Sequence, residues 1–135
     1  MIYFDTNLLV YSCVNLDETK YLKSTQLIKQ SIADNTLFLS PLSLMEFIFV
    51  LSKLKVEVKS IRNWFSYFVD YIYVPIDKEL IKLAEKKLEE INTGLHINDI
   101  IHFKIAEKYC QKLITYDKGF SRFQTAANIT IEILN

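Results

Sequence analysis

Two short apolar runs in this chain each lead into an aspartate, "MIYFD" at Asp5 and "KLITYD" at Asp117. If both runs are strands of one parallel sheet, both carboxylates stand at the edge where open α/β sheets bind ligands. Two further acids occupy places an ordinary core would not choose. Glu46 lies in "LMEFIFVL", with Leu42, Ser43, Phe49 and Val50 three and four positions away along a helix. A carboxylate on so apolar a face costs several kcal/mol unless something pairs with it. Asp99 opens the segment "NDIIHFKIAEKYC", where Asn98 already suits the capping role. Taken singly, the three aspartates read as helix caps and Glu46 as half of an ion pair with a Lys or Arg. Gathered at one sheet edge, the four would repel and raise each other's pKa unless a cation neutralised them. Oxygen ligands without His or Cys suit a hard divalent ion, Mg²⁺ or Mn²⁺. Such a site orients a water and stabilises charge on a phosphoryl group during in-line displacement.

The elements that must position these acids follow from periodicity. Strands are expected over 2–4, 36–40, 71–76, 112–116 and 129–134, the last with clean alternation. Helices are expected over 8–14, 21–35, 42–55, 58–70, 78–92 and 100–110, with Pro41 in a first turn, Asp77 as an N-cap and Gly94 as a C-terminal stop. This order predicts an α/β fold with a mostly parallel, about five-stranded sheet flanked by helices, in a single domain over 1–135. Asp17, Glu18, Asp34, Asp70, Glu85, Glu89 and Glu90 fall in polar stretches or on helix faces, where solvation accounts for them.

Half of the 135 residues are hydrophobic, with only two Gly and two Pro, which excludes a low-complexity or disordered chain. Sixteen basic and sixteen acidic residues cancel, so no global positive charge announces nucleic acid. Cys13 and Cys110 match no zinc spacing and read as reduced thiols of a cytoplasmic protein. No segment approaches the ~20 uninterrupted apolar residues of a membrane span.

The pieces "YFDTNLLVY", "LSPLSLMEF", "INDIIHFKIAEKY" and "LITYDKGFSRF", in this order and spacing, resemble PIN-domain ribonucleases, in particular the small VapC-type toxins of bacterial toxin–antitoxin modules. The resemblance runs essentially end to end and implies a PIN-like three-layer architecture. It also implies that Asp5, Glu46, Asp99 and Asp117 occupy the four acidic positions that bind one or two Mg²⁺ or Mn²⁺ ions and promote hydrolysis of RNA phosphodiesters. Asn7 matches the polar residue after the first Asp, and Thr115 the Thr of the "TxD" element. With Thr6, these two are expected to orient ligands or waters. Asn98 stands where the family usually has a small residue, which changes the surroundings of the third acid. The resemblance further implies a homodimer and a cognate antitoxin that blocks the active site.

Lys118 and Arg122 are the cations best placed by sequence for an RNA backbone. Phe120 and Phe123 read as core, and His96 and His102 as structural or exposed. The aromatic run "NWFSYFVDYIY" reads as core packing, with a groove for a partner helix as the alternative. A dehalogenase-like phosphatase also begins with a strand ending in Asp, but its second acid is Asn7 here. A receiver-type phosphoacceptor would need an early acidic pair, which is absent. The rival from another class is a catalytically inactive PIN-like binding module, against which stand the four occupied acidic positions.

Overall fold

Strands β1 (Ile2–Phe4), β2 (Leu37–Phe38), β3 (Lys112–Thr115) and β4 (Thr130–Ile133) form one parallel sheet in the order β2-β1-β3-β4. The computed structural model describes residues 1–91 and 96–135. The chain steps from β1 outward to β2 and later from β3 outward to β4. The switch point therefore lies between β1 and β3, with Phe4 opposite Ile114 in register. Open α/β sheets bind ligands beyond the strand ends at such a point, and Asp5 directly follows β1 there.

The sequence suggested a fifth strand over 71–76, and the structure corrects this to four. Only Ile72 pairs, in a single parallel bridge with Leu39 just past β2, where the Leu39 N–H donates to the Tyr71 carbonyl at 3.0 Å. A 3-10 turn over Val69–Tyr71 delivers the segment to the sheet edge. There Pro75 has no N–H to offer a ladder, and Tyr73 is 55 % exposed.

Helices α1 (Thr6–Cys13), α2 (Glu18–Ala33), α3 (Pro41–Lys53), α4 (Val58–Phe68), α5 (Lys78–Ile91) and α6 (Ile97–Tyr109) complete the chain, with a 3-10 segment at Lys118–Phe123. Side chains alternate across the strands and so divide the core into two layers. Tyr3, Phe38, Leu113 and Ile131 pack with α5, α6 and the 3-10 residues Phe120 and Phe123. Phe4, Leu37, Leu39 and Ile114 pack with α1 to α4 on the other face. The result is the expected three-layer arrangement.

Polar caps set the helix starts. Asp17 accepts from Lys20 N–H at 3.0 Å, so α2 begins earlier than apolar periodicity suggests. Ser40 accepts from Ser43 N–H at 3.1 Å with Pro41 in the first turn, and Asp77 accepts from Leu80 N–H at 2.9 Å. Helices α2 and α3 both end in Schellman motifs, with Asn35 (φ 55°) and Lys55 (φ 59°) in the left-handed position usually given to Gly. The expected stop at Gly94 lies outside the described residues.

Candidate active site

Asp5 occupies two positions at once, the end of β1 and the N-cap of α1. Its Oδ1 accepts from the Thr6 N–H at 2.7 Å. Its Oδ2 accepts from Thr115 Oγ1 at 2.6 Å and from Asn7 Nδ2 at 3.0 Å. Asn7 also accepts from the Tyr116 N–H at 3.2 Å, so its amide ties the start of α1 to the chain leaving β3. An aspartate at position 7 could accept from Tyr116 but could not donate to Asp5. The residue that sets the phosphatase reading aside thus has a structural duty as an amide.

Glu46 reaches the same edge from α3 through an otherwise apolar helix. No Lys or Arg pairs with it among the described residues, contrary to the ion pair that its sequence context suggested. Instead it accepts from Thr6 Oγ1 at 2.7 Å, from His102 Nε2 at 2.9 Å and from Asn98 Nδ2 at 2.9 Å. Burial alone would push its carboxyl up, but the His102, Thr6 and Asn98 contacts outweigh this and hold it below the usual range. Asn98 therefore does not cap α6, as its position had suggested. The helix starts at Ile97, its N-cap His96 lies two residues before Asn98 and makes no side-chain bond, and the Asn98 amide is spent on Glu46.

Asp99 and Asp117 complete the edge, and with Asp5 and Glu46 they line one open cleft of about 530 Å³. Asp117 accepts from the Gly119 N–H at 2.7 Å and is otherwise exposed, while its own N–H donates to Thr115 Oγ1 at 2.9 Å. Asp99 is half-buried, and no hydrogen-bond donor reaches its carboxylate among the described residues. Burial first, then the negative charges of Asp117 and Asp5, push its pKa above the ordinary value. The structure thus brings all four predicted acids to one site, with Thr6, Asn7 and Thr115 bonded to them.

The far wall of the cleft is apolar, built from Val10, Tyr11, Leu16, Phe49 and Val50. Lys20 Nζ sits 4.8 Å from the centroid of the Tyr11 ring, and Lys53 Nζ sits 5.3 Å from that of Phe49. These lysines went unremarked in the sequence reading. Lys118 and Arg122, the cations it singled out against a reading as ordinary surface charge, are exposed on the 3-10 segment and do not line the cleft. The sequence could have offered Lys53 by its spacing, four residues after Phe49 on one helix face. Lys20 lies on a different helix from Tyr11, so no local spacing marks it. Phe120 and Phe123 are core as read, with Phe123 stacked on Phe103 at 4.3 Å. The aromatic run divides, Phe68 being buried while Phe65, Tyr67 and Tyr73 are exposed.

His102 is the residue the sequence reading most undervalued. It is 1 % exposed and its Nε2 lies 3.9 Å from Asp5 Oδ1 as well as against Glu46. Asp5, Glu46 and His102 each present a ligand-type atom within 4.8 Å of the others. Its position three residues after Asp99 puts both on one face of α6, the one sequence signal that marked it.

A match to the PIN domain family model spans residues 2–125. The chain belongs to the PIN domain family. Solved structures share the fold of this PIN domain at low identity. VapBC2 from Rickettsia felis, bound to a DNA fragment from its promoter, has a TM-score of 0.70 at 20% identity and covers 100% of both chains. VapC20 from Mycobacterium tuberculosis, a sarcin-ricin loop cleaving toxin, has a TM-score of 0.70 at 16% identity over 90% of this chain and 93% of its own. FitAcB from Neisseria gonorrhoeae has a TM-score of 0.67 at 16% identity over 98% and 96%. No curated protein sequence matches the chain. Among the described residues of this PIN domain, no helix is long and apolar enough to cross a membrane.

The donor chemistry of the site fits a divalent cation. Asp99 carries a carboxylate that no hydrogen-bond donor reaches among the described residues, facing two other acids whose charges disfavour its ionisation. A hard cation with oxygen ligands relieves that repulsion.

Proposed function

We propose that this PIN domain is a Mg²⁺- or Mn²⁺-dependent endoribonuclease, the toxin of a VapBC-type toxin–antitoxin pair. The observation that carries the reading is the meeting of Asp5, Glu46, Asp99 and Asp117 at the β1–β3 switch point, with no donor to Asp99 among the described residues. Asp5, Glu46 and Asp99 would hold the ion, with Asp117 as a further ligand or a support. When bound, the ion supplies activation of a water and stabilisation of charge on the phosphate.

The chain's own residues do the positioning. Thr115 and Asn7 fix one oxygen of Asp5, and the Thr6 N–H fixes the other. Thr6 reaches both acids, donating its N–H to Asp5 and its hydroxyl to Glu46, so the spacing of the two is set within one residue. The apolar wall offers Phe49 and Tyr11 as flat faces for a base or ribose. Lys20 and Lys53 supply positive charge beside those rings for the phosphate backbone. This arrangement serves a single-stranded substrate although the chain as a whole is neutral.

The fold shared with VapBC and FitAB proteins supports an antitoxin partner; a homodimer and a cytoplasmic setting are further parts of the same proposal. The test is cleavage of total RNA by purified wild type and Asp5→Ala, each with Mg²⁺ and with a chelator. Cleavage is expected only from wild type with the ion present. A correctly folded wild type that cuts no RNA with Mg²⁺ or Mn²⁺ would instead be a binding module.

A further inference from the structure

His102 Nδ1 lies 2.5 Å from the Tyr3 hydroxyl, and its Nε2 lies 2.9 Å from Glu46 Oε2. Tyr3 is wholly buried in β1, and its hydroxyl also meets Ser40 Oγ at 2.8 Å and Ser43 Oγ at 3.1 Å. Ser43 belongs to the first turn of α3, and Ser40 caps that helix, one to two turns before Glu46. A continuous line of polar atoms therefore crosses the core from the start of α3, through β1 and α6, back to Glu46 on α3. Among the described residues, every buried side-chain polar atom has a partner, so the line is fully satisfied.

The direction of its hydrogen bonds decides what His102 does. An ionised carboxylate only accepts, so the hydrogen between Glu46 and His102 belongs to Nε2. A nitrogen that carries a hydrogen has no lone pair to give a cation. Proximity to Asp5 and Glu46 alone would make His102 a candidate ligand, and this proton excludes it. Glu46 Oε2 is then held by His102 and Thr6, and Oε1 by Asn98. A carboxylate has about four lone-pair sites, so three donors leave one for the cleft.

We propose that Tyr3 and His102 form a positioning relay that fixes Glu46 and aims its remaining lone pair at the cation, without either residue touching the ion. The inference rests on the metal-site reading above. Partners of this kind, bonded to ligands rather than to the metal, each contribute roughly 10–100-fold to metal affinity.

Two measurements test it. Nitrogen-15 NMR of the His102 ring in the ion-free protein should show a hydrogen on Nε2, and the hydrogen should remain there at saturating Mg²⁺. Mn²⁺ titration by electron paramagnetic resonance should show His102→Leu binding roughly 10–100-fold more weakly than wild type. His102→Gln, whose amide nitrogen can stand in for Nε2, should recover much of the loss, and Tyr3→Phe should show a smaller weakening. Thermal unfolding of each variant confirms its fold, and the wild-type NMR result stands even if His102→Leu does not fold. An Nε2 without hydrogen, or one that loses it to Mg²⁺, overturns the relay. So does wild-type Mn²⁺ affinity in folded His102→Leu. A wild type that binds no Mn²⁺ at all would remove the metal-site reading itself.

Discussion

Of the four acids lining the cleft, Asp5 and Glu46 each accept from three donors, drawn from α1, α6 and β3. Of the other two, Asp99 accepts from none among the described residues and Asp117 from one backbone N–H. The first pair is held in place by the fold before any ligand arrives. The second is left short of partners, with the Asp99 pKa raised by burial and by its acidic neighbours. On the proposed reading, the contrast separates the residues that build the site from those that would receive the ion.

The largest expected effect breaks the built side. Asp5→Ala removes a proposed ligand and a helix cap together. Asp5→Asn keeps a capping oxygen but removes the charge and turns the acceptor of the Thr115 and Asn7 bonds into an amide donor. Both should lower Mg²⁺-dependent RNA cleavage by at least about 100-fold. Urea unfolding should separate them, Asp5→Ala being less stable by about 1 kcal/mol. Equal stability of the two would mean that the cap contributes nothing.

Thr115→Val comes next. Its hydroxyl donates to Asp5 and accepts from the Asp117 N–H, so it joins the two sides. Cleavage should fall by roughly 10-fold, read in the same assay. A wild-type rate would show that Asp5 keeps its orientation without this bond.

Asp99→Asn sharpens the comparison by its sign. A carboxyl whose folded pKa is raised is destabilising when ionised, and the penalty is present above the folded pKa. It fades as pH falls through that value and is gone below the unfolded one. In ion-free buffer near neutral pH, Asp99→Asn should therefore unfold at a higher temperature than wild type, with the gap closing toward acid pH. Asn98→Ala, on the built side, should do the opposite and cost about 1 kcal/mol at neutral pH. Both are read by calorimetry.

The smallest effect concerns the apolar wall. Lys20→Gln and Lys53→Gln should each reduce the slope of log affinity against log salt for single-stranded RNA by about 1. Lys118→Gln should change it less, since Lys20 and Lys53 sit over rings that line the cleft and Lys118 does not.

The contrast also explains what the sequence could reveal. Asp5 and Asp117 were legible because strand ends are local features and a parallel sheet sends them to one edge. Glu46 was legible because a carboxylate amid Leu, Phe and Val needs a reason. What each acid bonds to was not, because Asn98 and His102 reach Glu46 across 52 and 56 residues of chain. Helix capping and site membership, weighed as rivals for Asp5 and Asp117, turn out to coexist. The spurious strand over 71–76 has the same origin. Its composition is strand-like, but the two-residue β2 beside it leaves one residue to pair with.

The most direct test of the account is calorimetric titration of Mg²⁺ into the ion-free wild type and Asp99→Asn. The wild type should bind saturably, and the variant at least about 10-fold more weakly. Absence of binding to the wild type, or equal binding to both, would contradict the claim that the unsatisfied side of the cleft exists to receive a cation.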